Sequence, residues 1–333
     1  MSQMNKIKRN SIISTIIFCI VLIVLSVIFI INRQRIFDQI SVWQYNPSTA
    51  IISLTERAGM NDNGKFIFFA SQPKLESTND FNKVCNKIEN SNSILGCYNS
   101  LHIYIYDVTD SKLDGVREVT ATHETLHAAY IRLSNNDKAK VNKLIEVEYE
   151  KLKNNSEFLQ LMAFYERTEP GERDNELHSL IGTEVSIISP ELEKYYSKYF
   201  TDRQKVVALN AKYIGAFNDL KTRDNEITTK IDTSYASITS EQNEYSSAVI
   251  ILDADITSFN NRASNGDFTS QSHFNNERSL LVSRSAKMEA MRAKINSDIL
   301  IYESLIEEHN SIASESQKLY NLIDSTLAPA PSV

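Results

Sequence analysis

Glycine and proline are scarce, with 8 and 6 among 333 residues. That suits a largely helical protein and leaves little material for a turn-rich one. Basic charge is not in excess either: 35 Lys and Arg face 42 Asp and Glu, for a net charge of -7. No basic stripe stands out, which argues against nucleic acid as a partner. Cysteine is limited to three residues. Cys19 lies in an apolar N-terminal run, leaving Cys85 and Cys97 as a pair. In an exported domain such a pair reads as one disulfide closing a short loop. By themselves they lack the close spacing of a metal site.

The apolar run from Ser11 to Ile31 carries no charge and is long enough to cross a bilayer as a helix. Lys6, Lys8 and Arg9 precede it, and Arg33 and Arg35 follow. The small excess on the N-terminal side predicts a cytoplasmic N-terminus, with the rest of the chain extracellular. The run is long for the core of a cleaved signal, and no small-x-small site follows it. An uncleaved single-pass anchor in the cell membrane is therefore expected, with Trp43 and Tyr45 at its outer water boundary.

Periodicity and turn signals divide the remainder. A short helix runs from Asn46-Pro47 to Gly59. Asn63-Gly64 is a turn signal, and Lys65 to Ala70 reads as a strand. Helical turns are expected from Phe81 to Ile88. Ile94–Tyr98 and Leu101–Val108 read as antiparallel strands. Helices are predicted over Val116–Leu133, with Asp114 or Asp110 as cap, over Asp137–Lys153 and over Glu157–Thr168. After the Glu169-Pro170-Gly171 break, a helix capped by Asp174 places Glu176, Leu180 and Glu184 on one face. Ser189-Pro190 starts another, with an aromatic stripe that includes Tyr195, Tyr196 and Tyr199.

From Asp202 onward, spacings of three and four dominate. One arm carries Leu220, Ile231, Tyr235, Ile238, Gln242, Tyr245, Val249, Leu252, Ile256 and Phe259. After a polar turn at 260–268, a second carries Leu281, Arg284, Met288, Met291, Ile295, Asp298, Tyr302, Leu305, His309, Ile312, Ser316, Leu319 and Ile323. Two such arms predict an antiparallel coiled-coil hairpin whose polar seam leaves room for a coiled-coil partner or a second copy.

The expected organisation is thus a cytoplasmic N-terminus (1–10), a transmembrane signal anchor (11–31) and a juxtamembrane segment with a short helix (32–62). A mainly α domain with a small antiparallel β-sheet (63–201), the hairpin (202–327) and a disordered tail (328–333) complete it.

The chemistry concentrates in His123-Glu124-Thr125-Leu126-His127, an H-E-x-x-H motif. With six histidines in the chain, a chance match is on the order of one per cent. On a helix, His123 and His127 share a face and reach one metal ion, while Glu124 stands to the side of a metal-bound water. A zinc site needs a third protein ligand. Glu176 and Glu184 are the main candidates, and His178 is the other. Zn²⁺ would acidify its water, Glu124 would act as base, and Tyr165, His178 or Tyr130 would stabilise the oxyanion.

This motif on a helix, preceded by the Leu101–Val108 strand, resembles the zincin metallopeptidases. The resemblance implies an α+β domain in which a strand lies along the cleft and an extended peptide substrate pairs with it. Gluzincin members take their third ligand from a glutamate on a later helix, often as Asn-Glu. Asn175-Glu176 matches that habit, so the resemblance implies Glu176. The extended metzincin signature is absent. The stretch from Gly96-Cys97-Tyr98 through Ile103-Tyr104-Ile105-Tyr106-Asp107 to Glu176-Leu177-His178-Ser179 is similar to an uncharacterised bacterial membrane-anchored group of zincin-like proteins. The resemblance covers 65–200, and only the H-E-x-x-H part is sharp. The expected function is a membrane-anchored zinc metallopeptidase. The alternatives are an envelope scaffold whose hairpin is the working part, or a hydrolase of non-peptide bonds such as cell-wall amides.

Overall fold

A computed structural model of the chain describes residues 2–85, 95–99 and 101–324. The expected disordered tail, 328–333, lies outside them. The chain divides into two compact units, Met1–Ala216 with Tyr320–Val333, and Phe217–Leu319. Most of the described residues are helical, as the shortage of Gly and Pro requires.

Helix α1 spans Ser2–Gln44 without a break. It is a helix long and apolar enough to cross a membrane: over Ile17–Gln44 its best stretch has a mean hydropathy of 2.4 and no buried residue. At its polar end the character changes. Asp38 is buried and accepts from Arg132 Nε at 3.0 Å and Nη2 at 2.8 Å. This fork pins α1 to the end of the helix that carries the histidines.

Helix α2 (Thr49–Arg57) starts where Ser48 Oγ accepts from Ile51 N–H, one residue beyond Pro47. The next element departs from the expected strand. Asp62–Ala70 is helix α3, because Asn61 Oδ1 accepts from the N–H groups of Asn63 and Gly64 and nucleates a first turn. Asn63-Gly64 is that turn, not a hairpin corner. A short apolar run such as Phe66 to Phe69 has no period of its own, so the cap decides.

The sheet is mixed, not antiparallel throughout. Strand β1 (Lys74–Glu76) pairs in parallel with β3 (His102–Tyr106), and β2 (Gly96–Asn99) pairs antiparallel with β3 on the other side. β1 has three residues, too few to show alternation in a sequence. Between β1 and β2 lies α4 (Thr78–Val84). Cys85, just past its end, is disulfide-bonded to Cys97 of β2, with Cα atoms 5.9 Å apart.

Helix α5 (Val116–Ile131) is the central element. It packs chiefly on α8 (Arg173–Glu184) and also meets α2, α3, β2 and β3. Neither expected cap holds its N-terminus: Asp110 caps a 3-10 turn at Ser111–Leu113, and Asp114 is drawn away by Arg57 and Lys212. Inside the core are Phe68, Ile103, Ile105, Leu126, Leu177 and Ile181, all nearly inaccessible. Each such side chain contributes roughly 1.5–3 kcal/mol relative to exposure. α8 lies close on α5 at Gly182, where a Cβ would stand 2.4 Å from Leu126 Cδ1. Helices α6 (Asn135–Leu152), α7 (Ser156–Thr168) and α9 (Pro190–Tyr196) complete this layer. Asp174 does not cap α8; it sits in the first turn and accepts from Asn142.

Helices α10 (Gln204–Asn265) and α11 (Gln271–Ile323) form the long arms. Within Phe217–Leu319, ion pairs run from Arg223–Glu315 through Asp255–Arg284 to Arg262–Glu277. Partner numbers fall along one arm as they rise along the other, the order of an antiparallel pair. Buried seam residues are sparse: Leu220, Ile227, Ile238, Leu252 and Phe259 on one arm, Ile295, Ile312 and Leu319 on the other. The second arm follows the expected positions. On the first, Tyr235, Gln242 and Val249 face solvent, and Ser234, Glu241 and Ala248 take the half-buried places.

Candidate metal centre

Helix α5 delivers its motif already buried. Thr122 and Thr125 turn their hydroxyls back to the carbonyls of Glu118 and Ala121, 2.6 Å each, so polar side chains on an enclosed helix are satisfied within it. Glu118, in the first turn, is neutralised by Arg57 at 2.6 Å. One turn apart, the Nε2 atoms of His123 and His127 approach to 2.9 Å. Helix α8 brings Glu176 across: Oε1 lies 3.3 Å from His127 Nε2, and Oε2 lies 3.6 Å from His123 Nε2.

Among the described residues, His123, His127 and Glu176 are the group of ligand atoms close enough to hold one ion, all within 4.8 Å of one another. A tetrahedral ion with bonds of about 2.0–2.1 Å separates its ligand atoms by about 3.3 Å. The observed separations bracket that value. Glu176 Oε2 is buried with no hydrogen-bond donor. An acceptor left bare inside a protein costs free energy unless a cation or donor meets it. The residues therefore fit a small divalent cation.

The electrostatics agree with that fit. Burial lowers the pKa of both His123 and His127 to about 4, so each imidazole is neutral and able to ligate. Burial raises the Glu176 carboxyl, while His127 opposes the rise. Glu124 is raised well above the usual carboxylate range, first by burial and then by Glu176 and Glu169.

Glu124 is held from behind by β2. A Cβ on Gly96 would stand 2.8 Å from Glu124 Oε1 and 2.5 Å from Thr120 Cγ2. Only a glycine lets the strand backbone lie this close to the carboxylate. Sequence reading missed Gly96 because its role is visible only across the strand–helix contact.

A cavity of about 710 Å³ opens over this cluster. His123, Glu124, His127, Tyr130, Tyr165, Glu169, Glu176 and Glu184 all reach it, as do both disulfide cysteines. Tyr165 stacks on His123 with ring centroids 6.5 Å apart, and burial keeps its phenol protonated. The Tyr130 hydroxyl is committed to Asn142 Oδ1 at 3.0 Å. His178 sits elsewhere: fully buried in the tyrosine layer, with Nε2 2.9 Å from the Tyr195 hydroxyl, it is not part of the cavity wall. Glu184 lines the cavity but lies outside the three-residue cluster. Glu169, from the Pro170-Gly171 break, was not singled out by sequence. Burial and Glu176 together raise its pKa to about 7.

No family model, curated protein or solved structure matches this chain. The functional reading therefore rests on the residues and their geometry.

Proposed function

We propose that the protein is a membrane-anchored, zincin-like zinc metallopeptidase. Its α1 would cross the membrane once, with a cytoplasmic N-terminus and the cleft on the opposite side. The convergence of His123 Nε2, His127 Nε2 and both oxygens of Glu176 on one buried point carries this reading. Two neutral imidazoles, one carboxylate and an accessible cavity beside them are the donor set of a catalytic zinc site. A zinc ion there supplies Lewis acidity toward a carbonyl and acidifies a water to a pKa of about 7.

The chain's own residues do the rest. Glu124, its pKa raised by burial, accepts the proton of the attacking water and returns it to the departing amine nitrogen. Gly96 lets β2 lie against that carboxylate. Tyr165 keeps its proton and can donate a hydrogen bond to the developing oxyanion. Tyr130 and His178 are less suited, because Tyr130 already donates to Asn142 and His178 is shared with Tyr195 inside the core. The disulfide, in the same unit, fits an oxidising compartment.

The test is metal analysis and peptide hydrolysis with the detergent-solubilised full chain. The wild type should bind one zinc. Glu176→Ala should lose it, Glu184→Ala should keep it, and Glu124→Gln should keep zinc while losing hydrolysis. A wild-type protein that binds no zinc, or a Glu124→Gln variant that hydrolyses normally, overturns the reading.

A second reading has one observation behind it. Ile250, Ile251, Leu300 and Ile301 stand more than half exposed on the long arms. An envelope scaffold that docks a coiled-coil partner or a second copy would use such residues. It would keep its cellular function in a His123→Ala variant, which the peptidase would not.

A further inference from the structure

The cavity extends past the three-residue cluster, and its far part has a chemistry that the proposed hydrolysis does not use. Glu184 ends α8, eight positions after Glu176. That is two turns, or about 12 Å along the axis, too far to share the ion. The residue is exposed and lines the cavity, and the surrounding protein raises its pKa to about 7. Desolvation is the cause, and no hydrogen bond or cation among the described residues offsets it. The position adds to the cost, because a negative charge at a helix C-terminus opposes the helix dipole.

Two tyrosines share the cavity wall with this carboxylate. Burial dominates the upward shift of both Tyr165 and Tyr213, and the Glu184 charge contributes to each. Both line the cavity, together with Phe164, Leu161 and Ile214. Tyr165 also stacks on His123, so it joins this end of the cavity to the cluster. A carboxylate and aromatic rings lining one cavity can together bind an ammonium or guanidinium group, through charge and through the ring faces. Glu172 also lines the cavity, as does Lys138.

We propose that Glu184, Tyr165 and Tyr213 form a subsite for a cationic side chain of the substrate, lysine or arginine. The inference rests on the peptidase reading for the identity of the ligand as a peptide; cation binding at this end of the cavity does not depend on turnover. A rise of about 12 Å along α8 is close to the reach of one extended residue and a long side chain. The selected residue therefore lies close to the scissile bond.

Two measurements on the full chain in detergent test this. In the first, matched peptides differing only in arginine, lysine, norleucine or glutamate at each position are hydrolysed. The wild type should favour arginine or lysine over norleucine at one position by about 10-fold or more. Glu184→Gln should bring that ratio near one, and Glu184→Lys should turn it toward glutamate. Inversion of a preference cannot arise from misfolding, and zinc content checks the fold of each variant. In the second, acetyl-arginine-amide and acetyl-norleucine-amide are titrated onto Glu124→Gln protein and followed by tyrosine fluorescence. Arginine should bind more tightly, and Glu184→Gln should abolish the difference. An unchanged arginine preference in both Glu184 variants overturns the subsite. If no peptide is hydrolysed, the peptidase reading fails and the titration alone decides whether Glu184 binds a cation.

Discussion

Around the cavity, ionisable groups are moved by burial; along the paired arms of Phe217–Leu319 they are moved by a neighbouring opposite charge. His123, Glu124, His127 and Glu184 all owe their shifts first to desolvation. Lys294 and Asp298 on α11, by contrast, shift through their mutual hydrogen bond, and Glu277 through Arg262, all at the surface. Both regions are helical and rich in charge. The difference lies in what the charge costs. A desolvated, weakly partnered group is expensive to keep, and such groups concentrate where chemistry or binding needs them. A solvated pair costs little and contributes little.

The largest effect that would break this contrast is at Glu124, the base of the proposed mechanism. Glu124→Gln should lower kcat/KM for a peptide by about 10²–10⁴-fold with zinc retained, read by steady-state kinetics beside metal analysis. A comparable loss from any single charge on the arms would erase the distinction.

Next comes the buried fork between α1 and α5. Arg132→Ala leaves the buried Asp38 without its cation and with Gln34 Nε2 as a remaining donor, a loss of about 3 kcal/mol, visible as a lower denaturation midpoint. Replacing Cys85 and Cys97 by alanine should cost about 3 kcal/mol, from the entropy of a short closed loop. Chemical denaturation of the oxidised and variant proteins measures it.

The pH dependence sharpens the comparison by sign. In metal-free protein, His123 and His127 titrate near 4 when folded, below the usual 6.5 of the unfolded chain. Between those values the unfolded state binds more protons, so this pair makes stability rise with pH across that window. Glu169 and Glu184 run the other way. Their folded pKa near 7 exceeds the usual 4.5, so their contribution is present at low pH and is lost as pH rises toward 7. Glu184→Gln should therefore melt higher than wild type at pH 8 and alike at pH 4, by calorimetry. A variant that melts lower at pH 8 would mean that the carboxylate has a stabilising partner.

The smallest effect belongs to the arms. Arg223→Ala removes a half-exposed partner of Glu315, and the midpoint should move by no more than about 1 kcal/mol.

Much of the candidate site is legible in the sequence because its first part is local. His123, Glu124 and His127 lie within five residues on one helix, and helical geometry alone brings the two imidazoles together. The same periodicity marks the second long arm, where Leu281 through Ile323 occupy the expected seam positions. On the first arm it slips. Glu241 turns inward to meet Lys294, and the larger neighbours Tyr235 and Val249 are left outside. Hydrophobicity picks the bulky residue, whereas the facing helix picks the one that fits. The Phe66–Phe69 run fails as a strand for a related reason: a cap at Asn61 outweighs a pattern too short to have a period.

The sequence by itself determined the apolar N-terminal helix, the two-histidine face, the cysteine pair and the periodic arms, because each depends on near neighbours or on composition. Only the tertiary structure showed which of Glu176 and Glu184 stands beside the two histidines. Both share a face of α8; the Asn175-Glu176 pair favours Glu176 by resemblance, and helical spacing does not separate them. The close approach of α8 to α5 at Gly182 places Glu176 against the histidines and leaves Glu184 two turns further along the same cavity. The choice rests on how two helices cross, a distance set by packing that no spacing along one chain encodes.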